Sequence, residues 1–171
     1  MKKFFVVILT IVICLSLSFS VGAVSYTYNS EGKAVASPDA YTVKKEFTGV
    51  DLSIGAFSAP TDIKISENGV VAISDSANAR VIITDIYFKE ATILKEFDNN
   101  GNLDSFETPE GLCFGFDGHL YVCDKTNGRI IEFDTELKYV RSIENPQKEL
   151  LPDGFIFAPS AVGVDKWGTV Y

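Results

Sequence analysis

The stretch Pro109-Glu-Gly-Leu-Cys-Phe-Gly-Phe-Asp-Gly118-His-Leu-Tyr-Val-Cys-Asp124-Lys-Thr-Asn127-Gly-Arg129-Ile-Ile-Glu-Phe-Asp134 is a second copy of an earlier one. Pro60-Thr-Asp-Ile-Lys-Ile-Ser-Glu-Asn-Gly69-Val-Val-Ala-Ile-Ser-Asp75-Ser-Ala-Asn78-Ala-Arg80-Val-Ile-Ile-Thr-Asp85 carries the same proline, glycine, aspartate, asparagine and arginine, each 49 positions upstream, as Pro60 is of Pro109. A third copy opens at Pro159-Ser-Ala-Val-Gly-Val-Asp-Lys-Trp-Gly168-Thr-Val-Tyr171, shifted by 50 from the second, and the chain stops inside it. Self-similarity at a fixed period of this length marks a repeat architecture.

Within one period the pattern is short and alternating, with turn residues between. It predicts strands at Asp62–Ser66, Val70–Ser74, Arg80–Thr84 and Thr92–Phe97, with Asn68-Gly69 at the first hairpin, and no window after residue 24 offers a helical apolar stripe. Four strands in such a period is the size of one β-propeller blade, whereas a β-sandwich gives no reason for the same residues to return at fixed spacing. The expected fold is therefore all-β, a β-propeller fragment of four-stranded antiparallel blades, with about two full blades and two half blades. The boundaries read as 24–56 for an N-terminal half-blade and linker, 57–107 and 108–157 for blades, and 158–171 for the start of a further one. In the first of these, strands are expected at Ser25–Asn29 and Tyr41–Phe47, with a loop through Ser37-Pro38-Asp39. Joining two half-blades would give a ring of three, below the about four blades at which propellers begin, so further repeats are expected beyond Tyr171.

At Pro109-Glu-Gly-Leu112, Tyr121-Val-Cys-Asp124 and Asn127-Gly-Arg-Ile-Ile-Glu-Phe-Asp134 the chain resembles the NHL-repeat β-propellers of the secreted bacterial type. Pro60 to Asp85 matches with Ala72-Ile73 in place of Tyr-Val and Thr84 in place of Phe. The resemblance covers residues 57–171 and implies a binding scaffold at the cell envelope, with a protein or glycan partner. Lactonase and streptogramin-lyase propellers share the architecture. The alternative reading is thus an enzyme of lactonase or lyase type whose active residues lie in further blades.

The N-terminus is a different kind of sequence. Lys2-Lys3, an apolar run from Phe4 to Phe19 and Ser20-Val21-Gly22-Ala23 read as a signal peptide, residues 1–23, cut after Ala23. An uncleaved anchor is the competing reading and would be the chain's one link to a membrane; either way the remainder is exported. Losing two lysines and no acid moves the formal charge from −8 to −10. With a pI near 4.6 and no basic cluster after the leader, nothing would neutralise phosphates, which excludes nucleic acid.

Repetition assigns Asp75, Asn78 and Arg80, and Asp124, Asn127 and Arg129, to structural turn clamps: a catalytic group is needed once, a clamp in every blade. Aspartate and arginine stand at the two ends of the turn joining the second and third strands, close enough to pair, and the asparagines are suited to left-handed backbone that bonds the turn. Phe57 and Phe106 are expected to pack between blades, with Phe155 or Phe157 doing so for the third copy. Trp167, at a hairpin tip where aromatics are exposed, and Phe155 and Phe157, in an apolar inter-blade loop, are the candidate binding residues. His119, the sole histidine, reads as a solvated turn residue. A lyase-type zinc site needs several histidines. No cofactor or metal ligand set is assigned, calcium staying open. Cys113 and Cys123 flank the Asp117-Gly118 hairpin, and a two-residue turn would put them on opposite faces, unable to bridge.

Overall fold

The structure is a computed structural model and describes residues 26–36, 45–145 and 151–171. The proposed leader and most of the Tyr41–Phe47 strand lie outside the described residues; Lys45–Phe47 carry no strand. The chain divides into two compact units, Met1–Glu46 and Phe47–Tyr171. In the first, β1 (Tyr26–Tyr28) and β2 (Ala34–Ala36) form a hairpin whose turn is tied by Asn29 Oδ1, which accepts from the backbone N–H of Glu31 and Lys33. No helix among the described residues is long and apolar enough to cross a membrane.

The second unit is a run of β-propeller blades. One antiparallel sheet has the order β3 (Pro60–Ile65), β4 (Val70–Asp75), β5 (Arg80–Asp85), β6 (Ala91–Leu94). β7 (Glu96–Asn99) and β8 (Asn102–Ser105) make a separate hairpin. The next sheet has the order β9 (Pro109–Phe114), β10 (Leu120–Asp124), β11 (Arg129–Phe133), β12 (Tyr139–Ile143). The third copy begins an equivalent hairpin, with Val164 opposite Val170.

Two expectations need correction. The fourth strand of the first blade does not run from Thr92 to Phe97: pairing with β5 stops at Leu94 and Phe97 swings out to bury against Phe133 and Phe106, at ring separations of 5.0 and 5.4 Å. The chain then turns back at Asn100-Gly101, both at positive φ, the backbone of a type I′ hairpin. The second correction concerns the Asp117-Gly118 turn. Gly118 N–H donates to Gly115 O and Gly115 N–H to His119 O, which is a three-residue loop closed by a left-handed glycine at φ 83°. That extra residue shifts the register so that Cys113 faces Tyr121 and Val122 faces Leu112. Cys113 and Cys123 therefore share one face with Tyr121; both are free thiols, and burial pushes Cys123 up to about 12.

Because side chains alternate across a strand, each sheet buries two faces. Ala72, Val81 and Leu94 of the first blade meet Leu112, Leu120, Val122, Ile131 and Phe133 of the second, with Phe97 and Phe106 wedged between. The far face of the second blade, Tyr121, Cys123 and Ile130, packs on Phe157, Val162, Val164 and Val170. Backbone-directed bonds stitch the blades: Asp62 accepts from Leu112 N–H at 2.9 Å, and the Ser76 and Thr61 hydroxyls donate to Pro109 O and Glu110 O. Gly111 fits because it lacks a Cβ, which would lie 2.6 Å from Ser160 O and 2.8 Å from Ala161 Cα. Gly111→Ala must push the third copy off the second blade, and denaturant titration should show a loss of about 1–3 kcal/mol. Gly163→Ala, in open space, should be neutral; equal stability of the two variants would refute the close-approach argument.

Candidate functional site

Strand order alone assigns the loops to two ends. The turns between the second and third strands sit at one end, and the hairpins between first and second, and between third and fourth, at the other.

At the first end the clamp residues come together in both blades. Asp75 is fully buried and accepts from Ser58 N–H (2.6 Å), Asn78 Nδ2 (2.8 Å) and Arg80 Nε (2.7 Å). Asp124, equally buried, accepts from the N–H groups of Glu107 and Thr108 (both 3.0 Å), Asn127 Nδ2 (2.8 Å) and Arg129 Nε (3.2 Å). The asparagines bond the carboxylate, and the left-handed residue is the next one, Ala79 at φ 52° and Gly128 at φ 63°. This differs from the expected left-handed asparagine: a positive φ there would carry the amide away from the aspartate. Each arginine also reaches the chain that enters its blade. Arg80 donates to Ile54 O and Ala56 O, whereas Arg129 grips Asp104 through two bonds of 2.7 and 3.0 Å and adds Ser105 O. The Arg129 hydrogen bonds hold Asp104 down at about 2. Asp104 has no counterpart in the first copy, so repetition did not mark it.

The opposite end differs from blade to blade. Its hairpin tips and outer turns present Tyr87, Phe116 and Trp167, all exposed, with Trp167 at 78%. Trp167 N–H is fixed by Asp165 Oδ1 at 2.9 Å, and Lys166 Nζ lies 4.5 Å from its ring centre. Between the first two tips lies a cleft of about 360 Å³, lined by Glu67, Phe114, Phe116, Asp117 and Asp134 among others. Phe155 is exposed in its loop, while Phe157 packs against the second blade beside Gly128.

His119 is half-buried rather than solvated. Its Nδ1 lies 2.8 Å from Glu132 Oε1 and 3.6 Å from Asp117 Oδ2. Glu132 is the next-to-last residue of β11, 5% exposed, where the first copy has the apolar Ile83, opposite Tyr121 on one side and Arg141 on the other. Arg141 Nε donates to Glu132 Oε2 at 2.6 Å. Burial pushes the Glu132 carboxyl up, but bonds from His119, Arg141 and Tyr121 outweigh it and hold it below the usual glutamate range. Burial, reinforced by the glutamate's charge, raises Tyr121 to about 12. The sequence signal for this cluster was a carboxylate inside the apolar run Ile130-Ile131-Glu132-Phe133, with the lone histidine immediately before the strand paired to it.

Similar solved structures include a catalytically inactive variant of virginiamycin B lyase from Staphylococcus aureus with quinupristin, 16% identical at a TM-score of 0.49 over 85% of this chain and 40% of that one. A selenomethionine-substituted form of the same lyase gives 15%, 0.43, 85% and 40%. A streptogramin B lyase gives 12%, 0.33, 67% and 47%. This chain thus spans less than half the length of these proteins. No protein-family model matches it, and neither does any curated protein.

Proposed function

We propose that this chain is part of an exported NHL-like propeller that acts as a binding scaffold, holding a protein or glycan of the cell envelope on the end that carries Tyr87, Phe116 and Trp167. The observation that carries this reading is the exposure of three aromatic rings at one end of neighbouring blades. Rigid aromatic rings offer large contact area at low entropic cost, and sugar and protein partners both exploit them. The polar clamps, by contrast, are all at the other end and spend their hydrogen bonds on their own backbone. An acidic cleft between the tips adds donors' partners for a hydroxyl-rich ligand.

The test is co-sedimentation of the purified protein with isolated cell-wall polysaccharide and with envelope protein fractions. Trp167→Ala with Phe116→Ala should weaken retention by about tenfold or more, since burial of two such anchors exceeds 1.4 kcal/mol. The melting temperature should not move, because both rings are exposed. Undiminished retention in the double variant would refute the assignment. Turnover of a lactone or of quinupristin by the parent would instead favour the lactonase or lyase reading.

A further inference from the structure

We propose that Asp117, His119 and Glu132 form a binding site for a divalent first-row transition-metal ion. Their ligand atoms, one imidazole nitrogen and two carboxylate oxygens, all lie within 4.8 Å of one another. Four-coordinate zinc with bonds of about 2.0–2.2 Å places its ligands at tetrahedral edges of roughly 3.3–3.6 Å. The two separations from His119 Nδ1, 2.8 Å to Glu132 and 3.6 Å to Asp117, bracket that edge. To seat an ion among the three, the His119–Glu132 contact must open and the two carboxylates must close on the ion from within their 4.8 Å limit.

The supporting groups are already in place. Glu132 is buried, so its carboxylate is held by β11 and the packing around it rather than by a mobile surface rotamer. Arg141 takes Glu132 Oε2 and leaves Oε1 turned toward His119, which fixes the orientation of the ligating oxygen. Asp117 is anchored from behind, its Oδ1 accepting His119 N–H at 3.0 Å, so that Oδ2 is the oxygen that faces the imidazole. In the metal-free protein one nitrogen faces both carboxylates, and a divalent ion would replace that proton-mediated contact with two charge-opposed bonds.

The donor set selects the ion. An imidazole nitrogen with two carboxylates suits zinc and its first-row neighbours, whereas calcium takes six to eight oxygens. Three protein ligands leave a coordination position free, and half-exposed Asp117, which also lines the cleft between the tips, puts that position beside the proposed binding end. Cys123 is no competitor, as its buried thiol stays protonated.

Untagged full-length protein, stripped with chelator, is titrated with zinc chloride by calorimetry and with cobalt(II) by visible absorption. One equivalent of zinc should bind in the micromolar range or tighter, with excess calcium failing to displace it, and cobalt should show the d–d bands of a four- or five-coordinate nitrogen–oxygen site. His119→Ala should weaken zinc binding by about 100-fold and Asp117→Asn by about tenfold, while Glu144→Gln, exposed just beyond β12, changes nothing. Asp117 is half-exposed, so its variant folds even if the histidine variant does not. Absence of zinc binding in the parent, an unchanged isotherm in Asp117→Asn, or a thiolate-to-cobalt band would overturn the site.

Discussion

Replacing Asp124 by alanine should lower the melting temperature by about 10 °C or more, corresponding to a loss of about 3–5 kcal/mol. The carboxylate is fully buried and accepts four hydrogen bonds. Its removal takes a fully buried acceptor from two backbone N–H groups, one amide and a guanidinium at a part-buried turn, and a stranded donor costs more than the bond it made is worth. Asp124→Asn keeps the shape and some acceptor capacity and should cost less than half as much. The second grip of the same arginine adds a pH signature. Because the folded carboxyl of Asp104 is held at about 2 against an ordinary value near 3.8, its contribution is present above pH 4 and is lost as the pH falls toward 2. Differential scanning calorimetry of the parent and the two variants checks both statements. An Asp124→Ala melt within 2 °C of the parent would show that the clamp is ornamental; an unchanged acid limb in Asp104→Asn would remove the pH argument.

Phe133→Ala is expected to be of similar size, about 3–5 kcal/mol by chemical denaturation, from lost burial plus the cavity left behind. Phe133 is fully buried, edge-on to Phe97 at 5.0 Å and to Phe106 at 5.8 Å. Those two rings come from the β7–β8 hairpin and the chain entering the second blade, so the hole would open where three elements meet and could not collapse by moving one of them. Phe133→Leu retains most of the volume and should cost about 1.5 kcal/mol or less. If alanine proved as mild as leucine, the inter-blade cluster would not be what holds the two blades together.

The repeat made the blades legible because the residues that return are those whose backbone role cannot be delegated: a glycine at a tip, an aspartate and arginine across a turn. Strand existence followed, at Val70–Asp75 and Leu120–Asp124 almost to the residue. Register did not. Asp117-Gly118 suits both a two-residue and a three-residue loop, and only the one-residue difference decides which face receives Cys113. The β7–β8 hairpin was hidden because no glycine or proline interrupts Thr92 to Phe97, while the reason to break it, a ring pocket at Phe133, lies far along the chain. Glu132 was legible only as an anomaly. Repeat logic directs attention to what is shared between copies, and the His119 cluster is what is not shared.

Beyond the asparagine and arginine of its own turn, each clamp draws its partners from chain already made: Asp75 from Ser58, Asp124 from Glu107 and Thr108, Arg129 from Asp104 and Ser105. None of these contacts waits for a later blade. As the polypeptide emerges from its N-terminus, the polar keystone of each of the two blades is therefore complete once that blade's own third strand has appeared, and the first blade offers Asp62, Ser76 and Thr61 as a template edge for the second. Assembly becomes vectorial, adding one blade at a time in the order of synthesis, with unfinished chain always at the growing edge and finished structure behind it.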